Sequence, residues 1–153
     1  MFEANKDTNV LNGLIETTLD SIDGYRRSAE EASNSSFASE FRARAAEREQ
    51  VIAKLREEVR RQGGTPEDDG SVLAAAHRAF LTLRDKVTGS DDHAVIAEVD
   101  RGESYLNTKW EAALKDDQLS PETRDVIGRC YDSVRAGHER WEQAHRQFDA
   151  ART

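Results

Sequence analysis

Apolar residues recur every three or four positions along most of this chain, and that spacing predicts amphipathic helices. The first helix is predicted over about residues 8–32, where Asp7 or Thr8 can cap the free amides at its start. The second is predicted over about residues 37–61, after the turn-forming sequence SNSS and before a Gly-Gly pair that stops it. The core-facing positions of these two helices are Leu11, Ile15, Thr18, Ile22, Tyr25, Ala29, Ala32, Phe37, Phe41, Arg44 or Ala45, Arg48, Ile52, Leu55 and Val59.

Three further helices follow from the same pattern. A short helix is predicted over about residues 72–87, after a polar linker that contains strong helix breakers. A long helix is predicted over about residues 93–115, after the sequence TGSDD, which can both break and cap a helix. The last is predicted over about residues 121–150, because Ser120 can cap it and Pro121 suits the first helical position.

These elements predict one all-α domain over residues 1–153. The short SNSS turn forces the first two helices to lie antiparallel. About 30 residues separate the second long helix from the third, far more than neighbouring antiparallel helices need. A four-helix bundle with one long crossover at that point has the ferritin-like connectivity, here with the short 72–87 helix inside the crossover. The alternative is a plain up-and-down bundle of five helices.

Composition narrows the classes of function. The chain is 37% hydrophobic and 34% charged, with a formal net charge of −8, so its surface repels nucleic-acid backbones and anionic membranes. No apolar run approaches the ~20 residues of a membrane span, and the N-terminal residues lack the pattern of a signal peptide. Cys130 is the single cysteine, so no internal disulfide forms. We therefore expect a soluble cytoplasmic protein that binds neither nucleic acid nor membrane.

Several charged residues fall on or beside the predicted core stripes. Arg48 lies in the middle of the second helix stripe, and Glu98 and Glu103 border that of the third long helix. Arg135 and His138 lie on similar faces of the last helix. A charge inside a bundle must be paired or bind an ion, because its desolvation is costly. The pattern therefore predicts a buried salt-bridge layer at mid-bundle, and the alternative is that these side chains reach out to solvent.

The order of these segments resembles an uncharacterised bacterial branch of the ferritin-like superfamily, a domain of unknown function linked to stress responses. The matching stretches are LNGLIETTLDSIDGYRRSAEE, GGTPEDDGS and EVDRGESYLNTKWEAAL, together with Arg48–Leu55, the His77-Arg78 pair and His138. This resemblance covers nearly the whole chain and implies a homodimer. It also implies a di-iron or di-manganese site, with one glutamate on each of two helices and a Glu-x-x-His pair on each of the others.

Carrying that ligand pattern onto this sequence leaves the first two helices without ligands. The first-helix glutamate position is Thr18, and Glu16 nearby points away from the stripe. The second-helix pair falls on Arg48 and Val51, neither of which suits a hard divalent ion. The resemblance therefore implies that the first half of the metal site is missing.

The other two helices keep part of the pattern. Glu103 and Glu98 remain on the third long helix, whereas the last helix keeps His138 but has Arg135 in place of its glutamate. An arginine stays protonated and repels a cation, so we expect guanidinium groups to replace the metal ions. The expected function is then a non-catalytic structural or stress-linked interaction protein without a cofactor. The alternative is a metal-binding or redox protein that holds iron or manganese with a reduced ligand set of Glu16, Glu98, Glu103 and His138.

Two other kinds of candidate residue receive ordinary structural roles. His77 and His93 lie at predicted element starts, where a solvated or capping role is expected rather than a metal-binding one. Cys130 lies on the last helix stripe and is expected to be a small core residue rather than a reactive thiol.

Overall fold

The structure is a computed structural model that describes residues 2–67 and 91–152. Within those ranges the chain is entirely helical apart from turns and caps, which confirms the all-α prediction. The short helix predicted over 72–87 lies outside the described residues. None of the described helices has the length and apolar character that a membrane span requires. The described helices are α1 (Phe2–Glu31), α2 (Ser35–Arg61), α3 (Asp92–Leu114) and α4 (Pro121–Arg152).

Polar caps fix the starts of three helices. Asn34 caps α2, its side-chain oxygen accepting from the amide of Phe37 at 3.2 Å. Asp91 caps α3 by accepting from the Ala94 amide at 2.8 Å. The Ser120 hydroxyl accepts from the third residue of α4 at 3.2 Å, next to the proline that begins the helix. The cap predicted from the Ser-Pro sequence is confirmed, since each oxygen satisfies an amide that the helix leaves unpaired.

The start of α1 differs from the prediction. The helix already begins at Phe2, so Asp7 and Thr8 lie inside it and do not cap it. Asp7 is buried, and its carboxylate accepts from the Ser120 amide at 3.2 Å and from Thr123 Oγ1 at 3.0 Å. An acidic side chain that reads locally as a cap thus satisfies donors at the start of a different helix.

The end of α2 follows the predicted glycine stop. Gly63 has a φ of +85°, in the left-handed region where a side chain would be strained. The Gly64 amide then donates back to the Val59 carbonyl at 2.9 Å. This reversed hydrogen bond closes the last turn, as in a glycine-terminated helix.

Contacts at the two ends of the bundle fix the helix directions. The Ser33 and Asn34 amides, between α1 and α2, donate to the Asp92 carboxylate at the start of α3, at 2.7 and 3.0 Å. At the opposite end, Gln62 beyond α2 donates to Thr123 in the first turn of α4 at 2.7 Å. Therefore α1 and α4 run in one direction, and α2 and α3 run in the other. Helix α1 packs against α2 and α3, whereas α4 packs against the same two helices from the other side.

The core lies along the predicted stripes. Trp110, Trp141 and Phe41 are among the largest fully buried side chains. Phe41 and Trp141 pack at a ring-centroid distance of 4.6 Å and join α2 to α4. Polar groups are nonetheless enclosed in this core, because Thr18 is fully buried and accepts a hydrogen bond from Trp110 Nε1 at 3.3 Å. The residues around this polar layer form the candidate site.

Candidate functional site

A buried ion pair between Arg48 and Glu103 lies in the middle of the bundle. Arg48 comes from the middle of α2, and its Nη1 and Nη2 donate to the two carboxylate oxygens of Glu103 on α3, at 2.9 and 2.6 Å. The side chains are 0% and 3% exposed, respectively. This two-pronged geometry is the strongest form of an arginine–carboxylate interaction. It also joins two helices that lie diagonally across the bundle from each other.

The other two helices complete the surroundings of the ion pair. On α1, the Ser21 hydroxyl accepts a further hydrogen bond from Arg48 Nη1 at 2.6 Å, and the Tyr25 ring centroid lies 5.5 Å from the guanidinium carbon. On α4, Gly137 lies directly against the pair. A Cβ at that position would be 2.7 Å from Glu103 Oε2 and closer still to Arg48 Nη2. Glycine at this position therefore lets the α4 backbone cover the pair without displacing either side chain.

The charges of this layer shift the ionisation of its members. Burial alone would lower the pKa of Arg48, but the Glu103 carboxylate outweighs that effect and raises it, so the guanidinium stays charged. Burial, and then the charge of Glu103, raise the pKa of Tyr25 well above its ordinary value. The Tyr25 hydroxyl is buried close enough to Glu103 to be affected by its charge, yet it makes no well-oriented hydrogen bond with any described residue. Tyr25 therefore remains a neutral neighbour of the ion pair.

Glu98 and Arg135, which were predicted to join this layer, lie elsewhere. Glu98 pairs with Arg101 one turn along its own helix. The Arg135 side chain is 57% exposed, and its nearest carboxylates, on Asp132 and Glu139 of the same helix, are each 3.9 Å away. Arg135 directly follows a buried core position, so the helix turns its side chain away from the bundle. The structure does not bring it to the buried pair.

His138 lies at the edge of the bundle rather than in its centre. Its Nε2 atom is 3.2 Å from Ser104 Oγ and 3.7 Å from a Glu142 oxygen, with 20% of the side chain exposed. The alternative metal-binding set does not converge in the described part of the chain. No single ion position there is shared by three or more of Glu16, Glu98, Glu103 and His138.

A second ion pair of the same form lies nearer the surface. Arg140 on α4 donates from Nε and Nη2 to the two carboxylate oxygens of Glu40 on α2, at 2.6 and 3.0 Å. Its guanidinium also lies over an aromatic ring, with its carbon 4.8 Å from the Trp141 centroid. Each side chain of this pair is 33% exposed. It is the natural comparison for the buried pair.

Two histidines and two aspartates meet at the end of the bundle where α3 begins and α4 ends. His93 Nε2 lies 2.7 Å from Asp149 Oδ1, and His145 Nε2 lies 3.6 Å from Asp149 Oδ2. On the other side of its ring, His145 Nδ1 lies 2.7 Å from Asp100 Oδ2. We call these four residues, His93, Asp100, His145 and Asp149, the bundle-end cluster. Of these, His93, His145 and Asp149 each offer one ligand atom within 4.8 Å of the others.

The family model described as a domain of unknown function (DUF2383) matches residues 6–116 of this chain. The chain belongs to this family. The match includes most of α1 and all of α2 and α3, and therefore both members of the buried ion pair. No curated protein matches the chain. Membership in the DUF2383 family thus supports a shared domain and leaves the function to be argued from the site.

Sequence reasoning did not find the bundle-end cluster. His93 was expected to be solvated or to cap a helix. One signal was available: His145 and Asp149 are four residues apart and share a face of one helix. His93 and Asp100, seven apart, share a face of another. The helix pairing that brings these faces together follows only from the fold, and α4 lies beyond the stretch that the family model matches.

Proposed function

We propose that this protein is a non-catalytic ferritin-like helical bundle with a structural or stress-linked interaction role, in which the Arg48–Glu103 pair replaces a di-metal centre. The observation that carries this proposal is the two-pronged contact of Arg48 with both oxygens of Glu103, at 0% and 3% exposure. A cation at that position would have to displace a permanent positive charge from the carboxylate. The pair itself supplies the charge compensation that a metal ion would supply.

The residues at the other expected ligand positions support the same proposal. Thr18 stands where the first-helix glutamate would be and is occupied by the hydrogen bond from Trp110. Val51 stands where a ligand would be on α2 and is buried in the apolar core. Neither side chain offers the carboxylate oxygens that an iron or manganese pair needs. A di-metal oxidase reaction lacks its ligands here.

The helix directions support a ferritin-like connectivity. Helix α2 ends beside the start of α4, whereas α3 begins at the opposite end of the bundle, beside the end of α1. A connection between α2 and α3 that spans the length of the bundle is the crossover of that fold. The helix predicted over 72–87 would belong to this crossover.

The interaction role includes a homodimer, which rests on the family resemblance described above. Sedimentation equilibrium over a wide range of protein concentrations measures the oligomeric state directly. A chain that stays monomeric throughout would remove the dimer from the proposal and leave the replaced metal centre intact.

Metal analysis tests the central claim. Protein purified without chelator is expected to carry far fewer than two iron or manganese ions per chain, none of them lost in Glu103→Gln, and to leave the rate of Fe²⁺ oxidation at that of buffer. The matched variants are Glu103→Gln, which alters the mid-bundle layer, and His145→Gln, which alters the bundle-end cluster. Two iron or manganese ions per chain that persist in His145→Gln and disappear in Glu103→Gln would overturn the proposal.

A further inference from the structure

The bundle-end cluster brings together the side chains of two antiparallel helices. His93 lies in the first turn of α3, and His145 and Asp149 lie one turn apart near the end of α4. The cluster is separate from the buried ion pair, because His93 and Glu103 are ten positions apart on α3, which is a rise of about 15 Å. From this arrangement, we propose that His93, His145 and Asp149 bind one divalent transition-metal ion of the zinc class, oriented by Asp100. The inference goes beyond the proposed function and does not rest on it.

The ligand geometry suits a four-coordinate ion. Ligand atoms around tetrahedral Zn²⁺, with bonds of about 2.0–2.2 Å, lie about 3.3–3.6 Å apart. The three candidate ligand atoms already lie within 4.8 Å of one another, and His145 Nε2 is 3.6 Å from Asp149 Oδ2. Small side-chain rotations are therefore enough to enclose an ion, without movement of either helix. The fourth position would be left to water.

Asp100 supplies the hydrogen bond that histidine ligands commonly have behind them. Its Oδ2 atom lies 2.7 Å from His145 Nδ1, which favours the proton on Nδ1 and turns the lone pair of Nε2 toward Asp149. The Asp100 carboxylate, the His145 ring and the proposed ion position thus form a chain of successive contacts. Such outer carboxylates fix the ring and make the ligand nitrogen more basic.

An apolar wall stands beside the two histidine rings. The centroids of the His93 and His145 rings are 5.7 Å apart, and Phe148 lies 6.0 Å from the His93 ring. Phe148 in turn packs on Phe37 of α2 at 5.8 Å. Asp149 on the open side is 60% exposed and gives an ion a path from solvent. The cluster is therefore anchored to the core on one side and accessible on the other.

The donor set selects the class of ion. Two imidazole nitrogens with one carboxylate suit Zn²⁺ and its neighbours in the transition series, whereas Mg²⁺ and Ca²⁺ prefer sites built from oxygen ligands. An ion bound there would tie the start of α3 to the end of α4. It would stabilise the folded chain by an amount that grows with the logarithm of the ion concentration above the dissociation constant.

The test of the site is a titration of the chelator-treated full chain with Zn²⁺ alone, monitored by isothermal titration calorimetry, together with thermal unfolding with and without the ion. The expected result is one ion per chain with micromolar or tighter affinity and a rise in Tm. The Co²⁺ form should have the visible spectrum of a four-coordinate site. His145→Gln, His93→Gln and Asp149→Asn should each abolish this binding, and Asp100→Asn should weaken it by about 10–100-fold.

The matched control is His138→Gln, which alters a histidine on the same helix with a carboxylate one turn away but, among the described residues, no second histidine in contact with it. It should keep full Zn²⁺ affinity and the metal-dependent rise in Tm. Far-UV circular dichroism before metal addition establishes that each variant is folded. Binding only at millimolar Zn²⁺, equal binding in His145→Gln, or equal loss in His138→Gln would overturn the site. Loss of binding in Glu103→Gln alone would instead place the ion at mid-bundle and contradict the proposed function.

Discussion

Two ion pairs in this bundle both have two-pronged contacts but differ in burial. Arg48–Glu103 and Arg140–Glu40 each join two helices through a two-pronged contact, and in each the guanidinium lies over an aromatic ring. The first pair has side chains 0% and 3% exposed, and the second has both at 33%. An unpaired charge next to water is readily hydrated, whereas an enclosed one is not. The comparison predicts that enclosure, more than the two-pronged contact, decides how strongly the stability of the fold depends on a pair.

The largest effect is expected from Arg48→Ala. The variant leaves the Glu103 carboxylate buried without its partner, so the free energy of unfolding should fall by about 3–5 kcal/mol. Urea denaturation measures that change. An effect no greater than that of a surface substitution, about half a kcal/mol, would mean that the enclosed pair has no special role.

The double variant Arg48→Met, Glu103→Leu separates the buried charge from the lost contact. It removes both charges and keeps similar side-chain volumes, so it should recover most of the stability lost in Arg48→Ala. A double variant as unstable as the single one would show that the pair itself, and not the unpaired carboxylate, stabilises the bundle.

Gly137→Ala should have the next largest effect. The added methyl group would overlap Arg48 Nη2 and Glu103 Oε2, so we expect a loss of about 1–3 kcal/mol. Gly128→Ala on the same helix is the matched control, because within the described part of the chain its Cβ would meet only a Leu114 methyl group, at an ordinary 3.8 Å. That variant should gain up to about 1 kcal/mol from helix propensity. Equal changes in the two variants, measured by thermal unfolding, would contradict the close approach of α4 to the ion pair.

A smaller effect is expected from Arg140→Ala. Its Glu40 partner becomes hydrated when the arginine is removed, so the loss should be about 0.2–1 kcal/mol and should shrink at high salt. Urea denaturation in low and high salt measures both quantities. A loss as large as that of Arg48→Ala would break the comparison between the two pairs.

Tyr25→Phe should change stability least at neutral pH, because the hydroxyl it removes makes no well-oriented hydrogen bond with the described residues. At alkaline pH the two proteins should separate. The raised pKa of Tyr25 means that the folded state keeps a proton which the unfolded state releases above the ordinary tyrosine value of about 10. The stability of the parent protein should therefore fall above that pH by up to about 1.4 kcal/mol per pH unit from this residue. Unfolding free energies between pH 8 and 11 check this, and identical slopes in the two proteins would contradict it.

Much of the fold could be predicted because its determinants are local. The stripe of α1 from Leu11 to Ala29 needs only helical periodicity, and the Ser120 cap needs only the residues beside it. The prediction for Asp7 was wrong for the same reason. Its neighbours in sequence suggest an N-cap, whereas its hydrogen-bond partners are more than a hundred residues away. Helix starts can be predicted only where the capping oxygen serves its own helix.

The residues of the candidate site likewise differ in whether the local sequence pattern could predict them. Arg48 could be singled out because a charge at a core position is improbable without a partner, and Glu103 was among the few acids on a facing stripe. Arg135 was grouped with them because it lies at a similar height along its helix. It directly follows the buried Val134, and the rotation of the helix by one residue points its side chain to solvent. The bundle-end cluster was missed because it depends on the alignment of α3 with α4 at one end, which no stretch of sequence encodes alone.

The contact between Gly137 and the buried pair couples the residues that evolution can accept at positions 48, 103 and 137. A lineage that acquires a side chain at position 137 would have to shift or replace the arginine at 48 and the glutamate at 103, since a Cβ there would overlap both side chains as they now lie. Sequences descended from a common ancestor should therefore change at these positions jointly. A chain with alanine at 137 would be expected to carry smaller or uncharged residues at the other two.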